Sequence, residues 1–452
     1  MMFARLPRPC LLVIAAFVCC EAAAHPDSGS TAVPRVKPAA YYAPSAMPDR
    51  VVLTWTDEPK TTQTVTWRTS REVQRGLAEI APAGDGPRFP ERARRVSATA
   101  KDFESDLSEC RVHTARFTGL EPGTRYAYRV GDGTNWTEWY QFRTEPEGEG
   151  PFTFIYFGDA QNNVRSMWSR VVREAVLEAP RAAFTLHAGD LVNDPESDAE
   201  WGEWFEAAGW INAMFPVIAT PGNHEYARGE GILGASFRYL TEHWNHTFAF
   251  PENGPEYLPG TAYYTDYQNL RVISLNSNEK RMEQTAWLEA TLQATEQDWV
   301  VVTFHHPIYS TAEGRDNPML RMAWKPVLER HGVDLVLNGH DHTYGRTDIV
   351  FPDENVGEGT RWRSGESGTV YVVSVSGPKM YDLGGSADID FARDAESTQL
   401  YQVIRIDGDR LRYEARTARG VLYDAFELER RAGKPNKIID RTPDTPPRRD
   451  PG

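Results

Sequence analysis

The stretch LVLNGHDHTYGR, residues 335–346, is a short apolar strand pattern that runs directly into a loop with two histidines. Alternate residues of an extended segment point the same way, so His340 and His342 either converge on metal or lie exposed on a loop. The stretch alone leaves both interpretations open. It does place two possible ligands just beyond a buried strand, where the sites of layered α/β proteins form.

Four other apolar runs in the same half of the chain end in polar residues of the same kind. Any one of them also fits an ordinary turn or a structural histidine. A rigid strand aims the first residues of the following loop at a fixed point, so five such ends in order predict one shared site. The residues that follow these four runs are Asp159, Asp190, Asn223 with His224, and His305 with His306.

The pattern of elements predicts a two-part α/β protein. Residues 48–145 contain only strand patterns, broken by Gly, Pro and Asp turns at the spacing of a β-sandwich. Residues 151–430 alternate strands with helices, which predicts a layered domain. Residues 25–47 have the composition of a leader, and the charged, proline-rich residues 431–452 are predicted to form a disordered tail.

The amino terminus predicts export. Arg5 and Arg8 precede an apolar run that ends in small residues, which is typical of a cleaved signal peptide over residues 1–24. The run is too short for a membrane anchor, so we expect a secreted or periplasmic protein. Removing it leaves Cys110 as the one cysteine, which excludes an intrachain disulfide. A net charge of −15 argues against general nucleic-acid binding.

The series GD, GDxx, GNHE, VxxH and GHxH resembles that of the calcineurin-like metallophosphoesterases. The preceding sandwich narrows the resemblance to the purple acid phosphatase-like branch, over about residues 48–430. GLEPGTRYAYRV, residues 119–130, also resembles the turn and strand of a fibronectin type III-like domain. The resemblance implies an N-terminal fibronectin type III-like β-sandwich followed by a layered αββα metallophosphoesterase domain.

The resemblance further implies two divalent or mixed-valence metal ions bridged by one carboxylate. The first metal would take Asp159, Asp190 and His342, and the second would take Asp190, Asn223, His305 and His340. His340 and His342 would therefore serve different metals. These oxygen and nitrogen donors suit Fe, Zn or Mn, and the set contains no thiolate.

Such a metal pair predicts hydrolysis of a small phosphorylated substrate. The metals would lower the pKa of a bound water to supply hydroxide and would stabilise charge during in-line attack. Departure of the alcohol benefits from a proton donor. His224, beside Asn223, is the first candidate, and His306 is the second, with an equal alternative role in holding its loop. Asp341 either orients a histidine ring or is solvated.

Two positions depart from the family pattern. Asn193 stands where purple members carry an iron-binding tyrosine, and Gln161 stands where a glycine or histidine is usual. Gln161 and, more weakly, Asn193 are tentative metal ligands through their amide oxygens. In the purple members the phenolate of this tyrosine binds ferric iron and gives the colour, so without it we expect a colourless protein.

Three functions stay open at this point. A phosphomonoesterase is favoured by the resemblance, a phosphodiesterase would use the same site, and a surface-binding protein would keep the metals as structural ions. The sequence predicts no oligomeric state. Five residues of the surrounding loops are candidate phosphate contacts, although each also fits a surface charge or a packed ring: Tyr226, Arg228, Arg315, Arg346 and Lys379.

Overall fold

The computed structural model describes residues 36–230, 236–351, 368–384, 389–431 and 434–449. The predicted signal peptide, residues 1–24, lies outside these ranges. All elements described below belong to the unit Pro38–Gly452. Within the described ranges, no helix has the length and apolarity needed to cross a membrane.

The N-terminal part is a β-sandwich, as predicted. One sheet contains β1, β2, β6 and β5, and the other contains β4, β3, β7 and β8. Aromatic and branched side chains, among them Leu53, Trp67, Phe117 and Tyr128, fill the space between the sheets. The strands are β1 (Asp49–Thr54), β2 (Gln63–Thr69), β3 (Leu77–Pro82), β4 (Arg94–Ser97), β5 (Thr99–Glu104), β6 (Glu109–Phe117), β7 (Arg125–Gly131) and β8 (Tyr140–Arg143).

The sandwich continues into the second domain through one strand pair. Thr54 of β1 pairs in parallel with Val217 of β11, which joins the strands into an eleven-stranded sheet. Its order is β24-β23-β22-β21-β9-β10-β11-β1-β2-β6-β5. The added strands are β9 (Phe152–Phe157), β10 (Thr185–His187), β11 (Val217–Ala219), β21 (Leu400–Asp407), β22 (Arg410–Thr417), β23 (Leu422–Arg431) and β24 (Lys434–Asp440).

A seven-stranded sheet forms the second β-layer, in the order β14-β15-β16-β17-β19-β18-β20. A separate hairpin pairs β12 with β13. The strands are β12 (Tyr226–Glu230), β13 (Ser236–Leu240), β14 (Tyr263–Tyr267), β15 (Leu270–Ser274), β16 (Trp299–Thr303), β17 (Leu335–Asn338), β18 (Tyr344–Thr347), β19 (Val370–Val373) and β20 (Phe391–Ala395).

The strand WVVVT shows why these sheets are layered. Val301 packs into the core that the two sheets share, while Val300 and Val302 pack into a second core with Leu288 and Trp324 of the helices. A strand buried on both faces requires a continuous apolar run. The helices are α1 (Pro38–Tyr41), α2 (Ser169–Glu178), α3 (Asp198–Ala208), α4 (Glu242–Thr247), α5 (Arg281–Gln293) and α6 (Pro318–Arg330). The predicted layered α/β fold class is confirmed.

The structure adds detail at both terminal segments. Within the predicted leader, Arg68 donates to the carbonyl of Tyr42 (2.9 Å), so the end of this segment already packs on the sandwich. Within the predicted disordered tail, Lys434–Asp440 form the edge strand β24, where Ile438 opposes Leu428 of β23. An edge strand tolerates the lysines and the proline that made this segment look unstructured.

Candidate metal centre

The predicted ligands lie at the carboxyl ends of five strands. β9, β10 and β11 run parallel in one sheet, and β16 and β17 run parallel in the other. The loops after the first three strands carry Asp159, Asp190 and Asn223, and those after the other two carry His305, His340 and His342. A parallel bridge between Asp159 and Val375 joins the loop after β9 to the loop after β19. The two layers therefore meet at the ends that bear the ligands.

Asp159, Asp190 and His342 form one group of possible metal ligands. Each offers one ligand atom, and these atoms all lie within 4.8 Å of one another. Nε2 of His342 is 3.1 Å from Oδ2 of Asp159. All three side chains are buried.

Asp190, His305 and His340 form a second group under the same criterion. Nε2 of His305 lies 3.2 Å from Oδ2 of Asp190 and 3.1 Å from Nδ1 of His340. Asn223 adds an amide oxygen, whose Oδ1 is 3.1 Å from the same Nε2. Asp190 belongs to both groups, so one carboxylate is placed to bridge two ions.

The hydrogen bonds of the ligand histidines show which ring nitrogen of each could bind a cation. Nδ1 of His305 donates to the carbonyl of Ala188 (2.8 Å), and Nδ1 of His342 donates to that of Lys379 (2.9 Å). In the neutral rings this leaves lone pairs on both Nε2 atoms, facing carboxylate oxygens. Electron-rich atoms so close together repel unless positive charge lies between them.

A buried carboxylate oxygen without a hydrogen-bond donor also indicates that the site favours a cation. Oδ2 of Asp159 is buried and accepts no hydrogen bond from the described residues. Burial lowers the pKa of His305, but the carboxylates of Asp190 and Asp159 outweigh it and raise the pKa to about 9, so a proton occupies Nε2 when no other cation does. The site thus attracts positive charge. Its oxygen and nitrogen donors fit the ions of the Fe, Zn and Mn class.

Three of the ligands sit on left-handed backbone. The φ angles are 50° at Asp190, 77° at His340 and 53° at His342. Each such residue costs on the order of 1–3 kcal/mol and persists only where neighbouring structure holds it. At His340 the backbone N–H donates to Oδ1 of Asp159 (2.7 Å), which ties two ligand loops together.

Glu225 holds the loop of the shared ligand, and it is a residue that sequence reasoning missed. Its buried carboxylate accepts the backbone N–H groups of Asp190 (2.9 Å), Leu191 (2.8 Å) and Gly222 (2.6 Å). A Cβ at Gly222 would lie 2.2 Å from Oδ1 of Asp190, so only glycine allows this approach. Glu225 follows Gly222 by three residues and accepts its backbone N–H, which is one half of a capping box, and a glutamate at this spacing is the sequence signal that would have revealed it.

The two candidate proton donors flank the groups differently. The backbone N–H of His224 donates to Oδ1 of Asp190 (2.8 Å), and its Nδ1 donates to the carbonyl of Asn193 (2.5 Å). This leaves Nε2 of His224 for a substrate. The ring of His306 lies 4.2 Å from that of His340, and its Nδ1 is 2.8 Å from Oγ of Ser277. Burial, reinforced by nearby positive charge, holds the pKa of His306 well below its usual value, so its ring is neutral.

The two tentative ligands differ in position. Gln161 reaches the first group, where its Nε2 donates to Oδ2 of Asp190 (2.7 Å) and lies 3.2 Å from Nε2 of His342. Its Oε1 is buried without a partner among the described residues, so the amide must rotate to present oxygen. Asn193 acts through its main chain, which accepts from His224 and donates to Glu200.

Asp341 fits neither of its predicted roles. It is buried, and its Oδ2 accepts the backbone N–H of Thr311 (2.8 Å), which holds the loop after β16. Burial raises the pKa of Asp341 to about 6, against the opposing effects of Thr311 and Arg315. Arg346 is also placed differently from the pocket position considered for it, because its buried guanidinium pairs with Asp424 (2.9 Å).

Comparisons with known proteins agree with this architecture. A family model described as "Purple acid Phosphatase, N-terminal domain" matches residues 48–144, and one described as "Calcineurin-like phosphoesterase" matches residues 152–344. The chain belongs to the purple acid phosphatase-like branch of the calcineurin-like phosphoesterases. The resemblance noted from the motifs is thereby confirmed.

Individual relatives show how far the similarity extends. The chain is 29% identical over 326 residues to an uncharacterized protein of Mycobacterium tuberculosis, covering 64% of this chain and 60% of that protein. It is 25% identical over 340 residues to human acid phosphatase type 7, covering 67% and 72%. The match thus spans less than two thirds of the mycobacterial relative's length. The structure of a yellow lupin purple acid phosphatase shares the fold, with a TM-score of 0.68 at 21% identity over 85% of this chain and 75% of that one.

Proposed function

We propose that this chain is a secreted, metal-dependent phosphoester hydrolase that acts on phosphate monoesters. The observation that carries the proposal is the pair of ligand groups that share the carboxylate of Asp190. Two cations held in this way supply Lewis-acid activation of the phosphoryl group and of the attacking water. The proposed ions are Fe, Zn or Mn, chosen for the oxygen and nitrogen donors.

The roles proposed for the residues follow from their contacts. Asp159, His342 and Asp190 would hold one ion, and Asp190, Asn223, His305 and His340 would hold the other. Nδ1–H of His224 donates to a main-chain carbonyl, so Nε2 would protonate the leaving oxygen from the doubly protonated ring. Gln161 would complete the first group after its amide rotates.

His306 is proposed as a neutral neighbour of the second group. Its ring packs against His340, and its main-chain N–H and Nδ1 both engage the hydroxyl of Ser277. These contacts support a role for His306 in fixing the loop of His305. The alternative is that His306 donates a proton to the substrate, and the His224 and His306 variants in the Discussion distinguish the two roles.

The test is hydrolysis of 4-nitrophenyl phosphate by the mature protein, stripped of metal and reloaded separately with Fe(II), Mn(II) or Zn(II). Asn223→Ala removes a proposed ligand, and Asn278→Ala removes an amide whose Nδ2 donates to the carbonyl of Pro221 nearby. We expect metal-dependent turnover that Asn223→Ala abolishes and Asn278→Ala retains. Turnover of bis(4-nitrophenyl) phosphate alone would identify a diesterase instead. Inactivity on both esters with every metal would favour a binding protein.

Secretion and the finer domain assignments are part of the same proposal. The signal pattern over residues 1–24 supports export, and the strand arrangement of residues 48–145 supports a fibronectin type III-like sandwich. Amino-terminal sequencing of the exported protein would test the cleavage site, for which we expect a mature chain that begins at His25.

A further inference from the structure

One face of the eleven-stranded sheet carries arginines from three neighbouring segments. Arg405 of β21 lies directly opposite Arg412 of β22 and, on its other side, opposite Thr153 of β9. Residues paired across strands share a face of the sheet, and neighbouring strands are about 4.8 Å apart. The backbone N–H of Ala183 donates to the carbonyl of Thr153 (2.7 Å), which brings the loop of the exposed Arg181 alongside. We call the three arginines and Thr153 the arginine row.

The arginine row lies in a groove beside the carboxyl end of α2. The groove has a volume of about 470 Å³, which is in the range of small-molecule sites. Its charged lining consists of four arginines and two glutamates: Arg181, Arg405, Arg412, Arg416, Glu178 and Glu414. The groove therefore has an excess of positive charge, although the chain carries a net charge of −15.

The two glutamates balance only one side of the groove. Nη2 of Arg416 lies 2.7 and 3.2 Å from carboxylate oxygens of the two glutamates. Nη2 of Arg412 lies 2.6 Å from Oε1 of Glu414. The side chains of Arg181 and Arg405 form no ion pair with any residue of the described ranges. Two guanidinium groups are thus left for a ligand.

The pairing of Arg405 with Arg412 has an energetic cost. Like charges directly opposite each other on neighbouring strands destabilise a sheet. A bound oxyanion would remove this repulsion, and the planar fork of a guanidinium group matches the oxygens of sulfate and phosphate. The half-buried Thr153 adds a hydroxyl to the same row. The row therefore combines unbalanced positive charge with donors suited to oxyanions.

The arginine row is separate from the metal centre. Thr153 lies near the start of β9, whereas the proposed ligand Asp159 follows the end of that strand. At about 3.3 Å per residue, the extended chain between them spans roughly 20 Å. A molecule bound at the row therefore leaves the metal centre free, and its binding does not depend on the proposed hydrolase function.

We propose that the arginine row binds a polyanion that carries at least two sulfate or phosphate groups. One group would lie between Arg181 and Arg405, and a second would contact Arg412. A free small molecule and a segment of a longer anionic chain both offer this chemistry, so the test uses one probe of each kind.

The test is calorimetric titration of the metal-loaded protein with sucrose octasulfate, a compact polyanion, and with a heparin decasaccharide, an extended one. Arg181→Gln and Arg405→Gln each remove one unpaired charge of the row. Arg75→Gln makes the same change at an exposed position between β2 and β3 and is the matched control. Since all three positions lie outside the ligand loops, kcat/KM for 4-nitrophenyl phosphate should be the same in every protein.

We expect Arg181→Gln and Arg405→Gln each to weaken binding of sucrose octasulfate about fivefold, because single exposed charge pairs contribute modestly. The double variant should bind more weakly than either, and Arg75→Gln should bind as the wild type does. Added salt should weaken wild-type binding more than that of the double variant, because it screens the charges of the row. No binding by the wild type at low salt, an unchanged affinity in the double variant, or an equal loss in Arg75→Gln would overturn the proposal.

The two probes also identify the kind of ligand. Tighter binding of the decasaccharide, lost in the same variants, would assign the row to a segment of a longer chain, and equal affinities would assign it to a small molecule. Thermal melting provides a readout besides binding. Because Arg405→Gln removes one of two opposing charges, the variant should melt no earlier than the wild type. Earlier melting would show that Arg405 has a structural role in the sheet and would overturn the proposal.

Discussion

Glu225→Gln tests how the fold holds the shared ligand. The carboxylate accepts three backbone N–H groups, from Asp190, Leu191 and Gly222. Glutamine has one oxygen, which at the Oε2 position retains the bonds from Asp190 and Gly222. Its NH₂ then faces the N–H of Leu191, so two donors oppose each other. A buried N–H left without its acceptor costs about 1–3 kcal/mol.

That cost falls on the left-handed turn that presents Asp190 to both metals. We therefore expect Glu225→Gln to weaken metal binding about 10- to 100-fold, the range typical of residues that orient metal ligands. The assay is calorimetric titration of Zn(II) or Mn(II) into metal-free protein. Glu230→Gln, which removes an exposed carboxylate at the end of β12, is the control. A Glu225→Gln protein that melts earlier but binds metal as tightly as the wild type would refute the reasoning.

Three further perturbations have defined outcomes. Burial lowers the pKa of His187 to about 3, so the unfolded chain takes up a proton at higher pH than the folded one. The free energy of unfolding therefore decreases as the pH is lowered from about 6.5. In urea titrations near pH 4.5, His187→Phe should lose about 2–3 kcal/mol less stability than the wild type, relative to neutral pH. Arg346→Met should cost about 3–5 kcal/mol in the same assay by leaving Asp424 charged and buried, and Arg346→Met with Asp424→Leu should recover most of it. His224→Gln should lower kcat on an alkyl phosphate about 10²- to 10⁴-fold and far less on 4-nitrophenyl phosphate, which leaves without a proton, while His306→Gln should show no such difference between the esters.

Much of the architecture was predictable because the spacing of apolar residues within each segment indicates a helix or a strand. The helices expected between the strands of residues 151–430 include α5 (Arg281–Gln293) and α6 (Pro318–Arg330). The ligand positions were predictable for a related reason. Each follows a buried strand directly, and parallel strands bring their carboxyl ends to one edge.

The features that escaped prediction depend on contacts between distant parts of the chain. Asp341 lies between two ligands, yet its partner is the N–H of Thr311, on another loop. The strand pairing between the two domains is the single pair Thr54–Val217 of β1 and β11, which neither strand's composition reveals. β24 looked like a disordered tail because an edge strand needs few apolar residues once β23 supplies the pairing surface.

The central claim is that one carboxylate joins two ligand groups, and metal stoichiometry tests it most directly. Zn(II) per chain should be measured by elemental analysis after loading and gel filtration of the wild type, His342→Ala, His305→Ala and Asp190→Ala. We expect about two ions in the wild type, about one in each histidine variant, and fewer than one in Asp190→Ala, because that change removes a ligand from both groups. An Asp190→Ala protein that still holds two ions, or a wild type that holds only one, would contradict the account.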